Sequence, residues 1–210
     1  APVLRQRFPD KRIVGIDTSA SMLEEARRTG LYDDLIEEDA ADWGPRTAPA
    51  LIYSNAALQW LPEHETLLPR LSRLLAPGGV LAVQMPHQNP APSHRLWHDL
   101  VARNYSGRFD PSTSPGILEA SDYHRILSPL GVLSLWETEY FQTLPPSQDM
   151  HPVRKFTSAT FARPIFAVLD QGEKEDLCAR YDAAVETDYP IAEDGSVLFP
   201  FRRLFFTLQP

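Results

Sequence analysis

The sequence predicts an α/β fold, a doubly wound, mostly parallel sheet that ends in an antiparallel C-terminal strand. Two observations carry this prediction. Short apolar runs alternate with stretches of helical period along the chain, as in parallel sheets whose strands are joined by crossover helices. Residues 75–83 read Leu-Ala-Pro-Gly-Gly-Val-Leu-Ala-Val, in which proline ends a helix, glycine turns the chain, and the apolar density indicates a buried strand.

Start and stop signals place the elements in order. Strands are expected at residues 12–16, 35–38, 50–54, 80–84, 132–141 and 198–208. The first helix can be capped by Ser19 or Ser21 and runs to Arg28, because a serine hydroxyl accepts a hydrogen bond from a free amide of the first turn. Further helices are expected at residues 63–75, 95–105, 119–129, 153–169 and 173–188.

Length and composition fit one domain over residues 1–210. A hydrophobic content of 43% is enough for a single core of this size. Residues 86–115, rich in proline, serine and histidine, are predicted to form an insertion or lid, and residues 150–189 to form C-terminal helical additions.

Charge and cysteine content exclude some partners and locations. The net charge of -8 disfavours nucleic acid as a partner, since phosphate backbones select basic surfaces. No apolar run approaches the ~20 residues of a membrane span. The single cysteine cannot form an internal disulfide, so a cytoplasmic protein is the expectation. The oligomeric state is left open.

Polar side chains follow three predicted strands. Asp17, with two acceptor oxygens, suits the hydroxyls of a ribose; alternatively, it only begins a turn and caps the next helix. Asp39 suits an adenine amino group while the Ala40 N–H donates to a ring nitrogen; alternatively, this is a solvated acidic loop. Trp43 either covers the adenine or packs under the loop. Asn55 ends the third strand.

These strand ends, together with residues 75–83, resemble the class I S-adenosylmethionine-dependent methyltransferases. Residues 55–61 (Asn-Ala-Ala-Leu-Gln-Trp-Leu) and 81–86 (Leu-Ala-Val-Gln-Met-Pro) are similar to the trans-aconitate 2-methyltransferase family. The resemblance implies a Rossmann-like sheet and transfer of a methyl group from S-adenosylmethionine to a carboxylate of trans-aconitate or a similar small polycarboxylic acid. The products would be a monomethyl ester and S-adenosylhomocysteine. It implies cofactor-binding roles for Asp17, Asp39, Ala40 and Asn55.

Two features depart from the family pattern. Its sheet opens with a strand and a glycine-rich loop around the methionine end of the cofactor, yet no Gly-x-Gly precedes Arg12. We expect that the working protein has such residues, and that the missing strand belongs between the strands at 12–16 and 50–54. The second departure, Phe161 and Ala162 in place of glycine and leucine, concerns only substrate fit.

The expected reaction needs positioning, with no general base. A carboxylate with a reference pKa near ~4 is already ionised at neutral pH, and alignment with exclusion of water can supply ~7–11 kcal/mol. A polycarboxylate also needs cations or strong donors. Arg163 and Arg203 are the candidates, with surface salt bridging as the alternative for each. Further candidates for the acceptor site are Gln59, Trp60, Tyr105, Tyr123 and Tyr140.

Two other functions stay open on the sequence alone. Asp17 by itself also suits a nicotinamide-dependent oxidoreductase, and a chain without the glycine-rich loop could be a non-catalytic binding module. His94 and His98 have a spacing that metal ligands use, but no third ligand is evident, so no metal site is expected.

Overall fold

A computed structural model describes residues 1–210, which divide into two compact units, residues 1–48 and 49–210. Each unit contains its own sheet, of two strands in the first and four in the second. No ladder joins the two sheets, and the single domain predicted over residues 1–210 stays a prediction. None of the helices is long and apolar enough to cross a membrane.

The first unit is a βαβ unit preceded by a short helix. Its elements are α1 (Pro2–Arg7), β1 (Val14–Asp17), α2 (Ala20–Thr29) and β2 (Asp34–Glu37). β1 and β2 are parallel, with Val14 opposite Asp34. Of the two predicted caps, Ser19 is the one used: its hydroxyl accepts from the Met22 amide at 3.4 Å, and Gly30 ends α2 in the left-handed conformation.

The second unit holds the larger sheet and most of the helices. Its elements are β3 (Leu51–Asn55), α3 (His64–Arg73), β4 (Val80–Pro86), α4 (Pro92–Asn104), α5 (Ala120–Leu127), β5 (Val132–Leu144), α6 (Pro152–Ser158), α7 (Arg163–Ala167), α8 (Gln171–Asp188) and β6 (Val197–Gln209). The strand order is β3-β4-β6-β5. β3 and β4 are parallel, and β6 is antiparallel to both β4 and β5. Three strands therefore share one direction and the C-terminal strand opposes them, which confirms the predicted class.

The sequence predicts that a strand is missing between β1 and β3, so these two strands should not pair with each other. β1 and β3 lie in separate sheets and form no ladder with each other. The Pro-Gly-Gly turn before β4 is also observed: Gly78 has a φ of 74°, a conformation that glycine adopts without steric cost.

β6 changes its buried face halfway along. Val197, Phe199 and Phe201 are buried in its first half, and Leu204, Phe206 and Leu208 in its second. Because side chains alternate along a strand, these two triplets point to opposite faces of the sheet. The change falls at Arg202 and Arg203, and the ladder to β5 runs through it without interruption.

Two cores therefore share this strand. The first triplet belongs to an aromatic cluster with α4, α6 and α8, in which the rings of Trp97 and Tyr181 stack at 3.8 Å. On the opposite face, α3 and α5 pack against the sheet, and Tyr123 of α5 contacts Phe206 with ring centroids 6.0 Å apart.

One predicted helix differs from the structure. The helix expected over residues 153–169 is interrupted between α6 and α7, where the Ala162 amide donates to the Thr157 carbonyl. Pro164 explains the break, because a proline has no amide to donate and its ring blocks a continuous helix. The helix predicted at residues 95–105, within the predicted insertion or lid at residues 86–115, is observed as α4, whose Trp97 and Val101 are buried in the aromatic cluster.

We expect Leu177→Ala in α8 to destabilise the fold by about 2–5 kcal/mol, because Leu177 is fully buried and truncation leaves a cavity. The free energy of unfolding in urea measures this. Leu198→Ala is the matched control, since Leu198 is 61% exposed on β6. An equal loss of unfolding free energy in both variants would show that the aromatic cluster is not a tightly packed core.

Candidate functional site

Two carboxylates lie at the ends of the parallel strands of the first unit. Asp17 ends β1, and one of its oxygens accepts from the Ser19 amide at 2.8 Å. Asp39 follows β2, and one of its oxygens accepts from the Ala41 amide at 2.8 Å. The turn described as the alternative for Asp17 is therefore present, but it occupies only one oxygen of each carboxylate. A second oxygen on each carboxylate can accept from hydroxyl or amino donors, which fits a nucleoside.

Trp43 is buried, with 8% of its surface exposed. Its backbone amide donates to the Asp39 carbonyl at 2.9 Å. Ala40 lies in the same loop, half-buried. The burial of Trp43 favours the alternative in which the indole packs under the loop.

The end of β3 leads into a tight turn that builds one wall of a cavity in the second unit. After the exposed Asn55, Ala56 has a φ of 52° and its amide donates to the Gln84 carbonyl at 2.9 Å. A left-handed non-glycine residue is strained and persists where surrounding contacts hold it. A 3₁₀ turn follows at Leu58–Trp60 and presents Gln59 and Trp60 to the cavity.

Tyr123 supports this turn from the other face of the sheet. Its hydroxyl lies 2.6 Å from Nδ1 of the buried His64, whose Nε2 lies 2.9 Å from the Leu58 carbonyl. Burial raises the pKa of Tyr123. Tyr123 therefore contacts His64, which supports the cavity wall, and does not itself line the cavity.

The cavity has a volume of about 280 Å³, just below the range of about 300–1,000 Å³ for drug-sized ligands. Its wall is mostly aromatic and apolar, with a few amides, one imidazole and one cation. The lining residues are Ala56, Gln59, Trp60, Pro86, Gln88, Asn89, His94, Pro115, Phe156, Thr160, Phe161, Phe201 and Arg203. This composition suits a small ligand with an apolar body and an anionic group.

Arg203 is the cation of the cavity, and no carboxylate pairs with it. Its Nε donates to the Tyr140 hydroxyl at 2.9 Å and its Nη1 to Gln84 Oε1 at 2.7 Å. The guanidinium carbon lies 4.7 Å from the centre of the Phe201 ring, within cation–π range. Only two of the five N–H groups of a guanidinium are used here, so the others are free for a ligand.

The remaining predicted acceptor residues are not brought together. Arg163 is exposed at the start of α7 and does not line the cavity. The Tyr105 hydroxyl donates to Asp176 at 2.7 Å, and this hydrogen bond raises its pKa to about 12. Tyr140 contacts Arg203 without lining the cavity. Arg163 and Tyr105 therefore lie outside the lining of this cavity, and their predicted roles in acceptor binding stay predictions.

The sequence reasoning missed several residues of this site. Phe156 and His94 come from α6 and α4, and only the tertiary structure brings them to the cavity. Phe161, which the sequence links to substrate fit, also lines the cavity. Gln84 had a visible signal, as a glutamine inside the apolar run of β4.

His94 is a neutral imidazole in the cavity wall. Its Nδ1 lies 2.9 Å from the Ser93 hydroxyl, and its ring packs edge-on against Phe161. Burial lowers the pKa of His94 to about 3, and the nearby His98 contributes in the same direction. His98 binds the Ser114 hydroxyl through Nε2 at 2.8 Å. No group of three or more His, Cys, Asp or Glu side chains is arranged to hold a metal ion.

Comparison with known proteins shows which proteins this chain resembles. A family model described as a methyltransferase domain matches residues 1–83. The trans-aconitate 2-methyltransferase of Methylobacterium radiotolerans is 40% identical over 212 residues, covering 97% of this chain and 79% of that protein. The enzyme of the same name from Escherichia coli O1:K1 / APEC is 39% identical over 210 residues, covering 99% and 80%.

Solved structures share the fold. A putative methyltransferase from Bacillus halodurans, BH2331, superposes with a TM-score of 0.57 at 15% identity, covering 98% of this chain and 87% of that one. YcgJ of Bacillus subtilis has a TM-score of 0.56 at 14% identity, covering 93% and 81%.

The fold, the strand-end carboxylates and these matches define an S-adenosylmethionine-dependent methyltransferase. At this identity and coverage, the chain belongs to the trans-aconitate 2-methyltransferase family. The predicted family, enzyme class and cofactor are confirmed, and methyl transfer is favoured over nicotinamide-dependent chemistry.

We expect His94 to reduce stability in acid. Because the folded-state pKa is about 3 and the reference value is 6.5, the unfolded chain takes up the proton first as the pH falls. Above about pH 6.5, His94 is neutral in both the folded and the unfolded chain and costs no stability. Between pH 6.5 and pH 3 the free energy of unfolding falls, and the loss at pH 5 is about 2 kcal/mol.

The measurement is the free energy of unfolding at pH 7 and pH 5. His94→Asn should flatten the difference, whereas His124→Asn, on the exposed side of α5, should keep it. An unchanged pH dependence in His94→Asn would contradict the buried neutral imidazole.

Proposed function

We propose that this protein transfers a methyl group from S-adenosylmethionine to a carboxylate of trans-aconitate or a similar small polycarboxylic acid, giving a monomethyl ester. One observation carries the choice of acceptor: Arg203 is a half-buried cation in a small cavity and has no carboxylate partner in the chain. The names of the relatives point to the same acid.

A carboxylate is the natural partner for this arginine. A partly buried charge without a counter-charge is unfavourable, and a hydrogen bond to a charged group is worth about 1.5–3 kcal/mol. The guanidinium fork matches the two oxygens of a carboxylate. With Tyr140 and Gln84 fixing the orientation of Arg203, an acid that enters the cavity meets N–H groups that are already aligned.

The amide nitrogens of the cavity each carry a second N–H that can donate to the other carboxylates of the acid. Gln59 donates through Nε2 to the Ala56 carbonyl at 2.9 Å, while Gln88 and Asn89 donate to the carbonyls of Pro200 and Pro115. These hydrogen bonds fix the amides in the wall. The aromatic rings around them exclude water from the body of the acid.

The bound cofactor supplies a methyl group on a positively charged sulfur. The acceptor carboxylate is ionised at neutral pH, so no protein group has to remove a proton. His94, with its lowered pKa, stays neutral there and adds no charge to the cavity. The protein contributes binding, orientation and exclusion of water, and such positioning can supply ~7–11 kcal/mol.

On the cofactor side, the second oxygens of Asp17 and Asp39 are proposed to accept from the ribose hydroxyls and the adenine amino group, with Ala40 donating to the adenine ring. Asn55 is a further proposed cofactor residue at the end of β3.

We expect Asp17→Ala to weaken S-adenosylhomocysteine binding by about 1.5–3 kcal/mol, the value of hydrogen bonds to a charged group. Asp17→Asn should lose less, because an amide oxygen can still accept from the Ser19 amide and preserve the turn. Isothermal titration measures both. Asp10→Ala, at an exposed position before β1, is the control. Parent-like affinity in a folded Asp17→Ala variant would remove Asp17 from the cofactor site.

We expect Arg203→Lys to raise the KM for trans-aconitate while S-adenosylhomocysteine affinity stays the same, because lysine keeps the charge but loses the two-pronged geometry. A monocarboxylate should be affected less. The matched control is Arg202→Lys, the exposed neighbour that pairs with Glu139 at 3.6 Å. Normal trans-aconitate kinetics in Arg203→Lys would eliminate the cavity as the acceptor site.

A further inference from the structure

Gln84 is a buried residue of which the proposed function uses only the oxygen that orients Arg203. It is 4% exposed in β4, and its Oε1 accepts from Arg203 Nη1 at 2.7 Å. Its Nε2 is buried and has no partner in the chain. An unpaired buried amide donor costs about 1–3 kcal/mol, so its presence at this position calls for a physical reason.

The sheet register places Gln84 beside the cavity. Gln84 and Pro86 lie on the same face of β4, because side chains alternate along a strand, and Pro86 is opposite Arg203 in the ladder with β6. Gln84 is therefore a diagonal neighbour of Arg203, a separation that long side chains reach across. It is also opposite Asn55 in the ladder with β3, at the carboxyl ends of the two parallel strands.

The amide has only one useful orientation. Arginine offers donors alone, so Oε1 must face Arg203 and Nε2 must face away, where no acceptor exists. A glutamate at this position would remove the unpaired donor and give Arg203 a counter-charge. It would also cancel the positive charge that the cavity offers to an acid.

We propose that Gln84 is a positioning and specificity residue: its neutral amide orients the Arg203 guanidinium while leaving the full positive charge of Arg203 for a polycarboxylate acceptor. This inference rests on the proposed function of the cavity. In this inference the neutral Gln84 keeps the net charge of the site positive. The Tyr140 hydroxyl provides the second hydrogen bond that fixes the guanidinium.

The decisive variant is Gln84→Glu, which keeps the size and the acceptor oxygen but adds one negative charge. The KM for trans-aconitate should rise at least about ten-fold, because a charge a few ångströms from the site acts on all three carboxylates. The value of kcat should change little, and the affinity for S-adenosylhomocysteine should stay the same. The inhibition constant of crotonate, a monocarboxylate, should rise less than the KM for trans-aconitate.

A second variant separates charge from orientation. Gln84→Met keeps the bulk and the neutrality but removes the acceptor for Arg203, so it should raise the KM and the crotonate inhibition constant by similar factors. Gln209→Glu is the control for net charge, since Gln209 is exposed at the far end of β6, and it should behave like the parent. Thermal unfolding and cofactor titration check that each variant is folded.

The outcomes distinguish this inference from the proposed function. If Arg203→Lys impairs trans-aconitate kinetics but Gln84→Glu and Gln84→Met do not, Gln84 has no such role and the proposed function stands. If neither residue affects the acid, the cavity is not the acceptor site and both fail. A rise in KM with Gln84→Glu that is equal for trans-aconitate and crotonate would also overturn the charge argument.

Discussion

The arrangement of the second unit depends on β6 serving two cores on opposite faces of one sheet. Its first half contributes Phe199 and Phe201 to the aromatic cluster of α4, α6 and α8, and its second half contributes Phe206 and Leu208 to the face covered by α3 and α5. A strand can do this only by changing which alternate residues are apolar. At the change, two successive positions are free of the core, and arginines occupy both.

The position of Arg203 follows from this change. It shares a face with Phe201, directly beyond the last buried residue of the aromatic cluster. A guanidinium there can lie over an aromatic ring while its N–H groups remain outside the core. The cavity is thus formed at the boundary between a packed core and the open part of the sheet, which explains why rings and polar groups meet in it.

The electrostatics of the cavity differ from those of the whole chain. The net charge of -8 disfavours the approach of a polyanion. Within the cavity, however, the ionised side chain is Arg203, and its polar neighbours are the neutral Gln59, Gln88, Asn89 and His94. A cation without a counter-charge in a mostly apolar wall attracts an anionic ligand, because their interaction is screened less there than in water.

Local sequence signals predicted most of the elements but less of the site. The strands, the Pro-Gly-Gly turn and the carboxylates after β1 and β2 follow from hydrophobic period and turn chemistry, which act over a few residues. The cavity wall joins Gln59, Phe161 and Arg203, which are far apart in sequence, and no local pattern selects Arg203 over Arg163. Arg163 lay in a segment predicted to be helical, but the break before Pro164 leaves it exposed. The two compact units were also beyond local reasoning, because they depend on which strands pair.

The change of face in β6 also limits how this family can vary. One residue inserted or deleted beside Arg202 would turn the large side chains on one side of that point to the wrong face, so the length of this stretch is held fixed. The irregular residues between α6 and α7 carry no such restriction, and they contribute Thr160 and Phe161 to the cavity wall. Substitutions in that short connection can therefore reshape the cavity wall while the strand that presents Arg203 stays the same length.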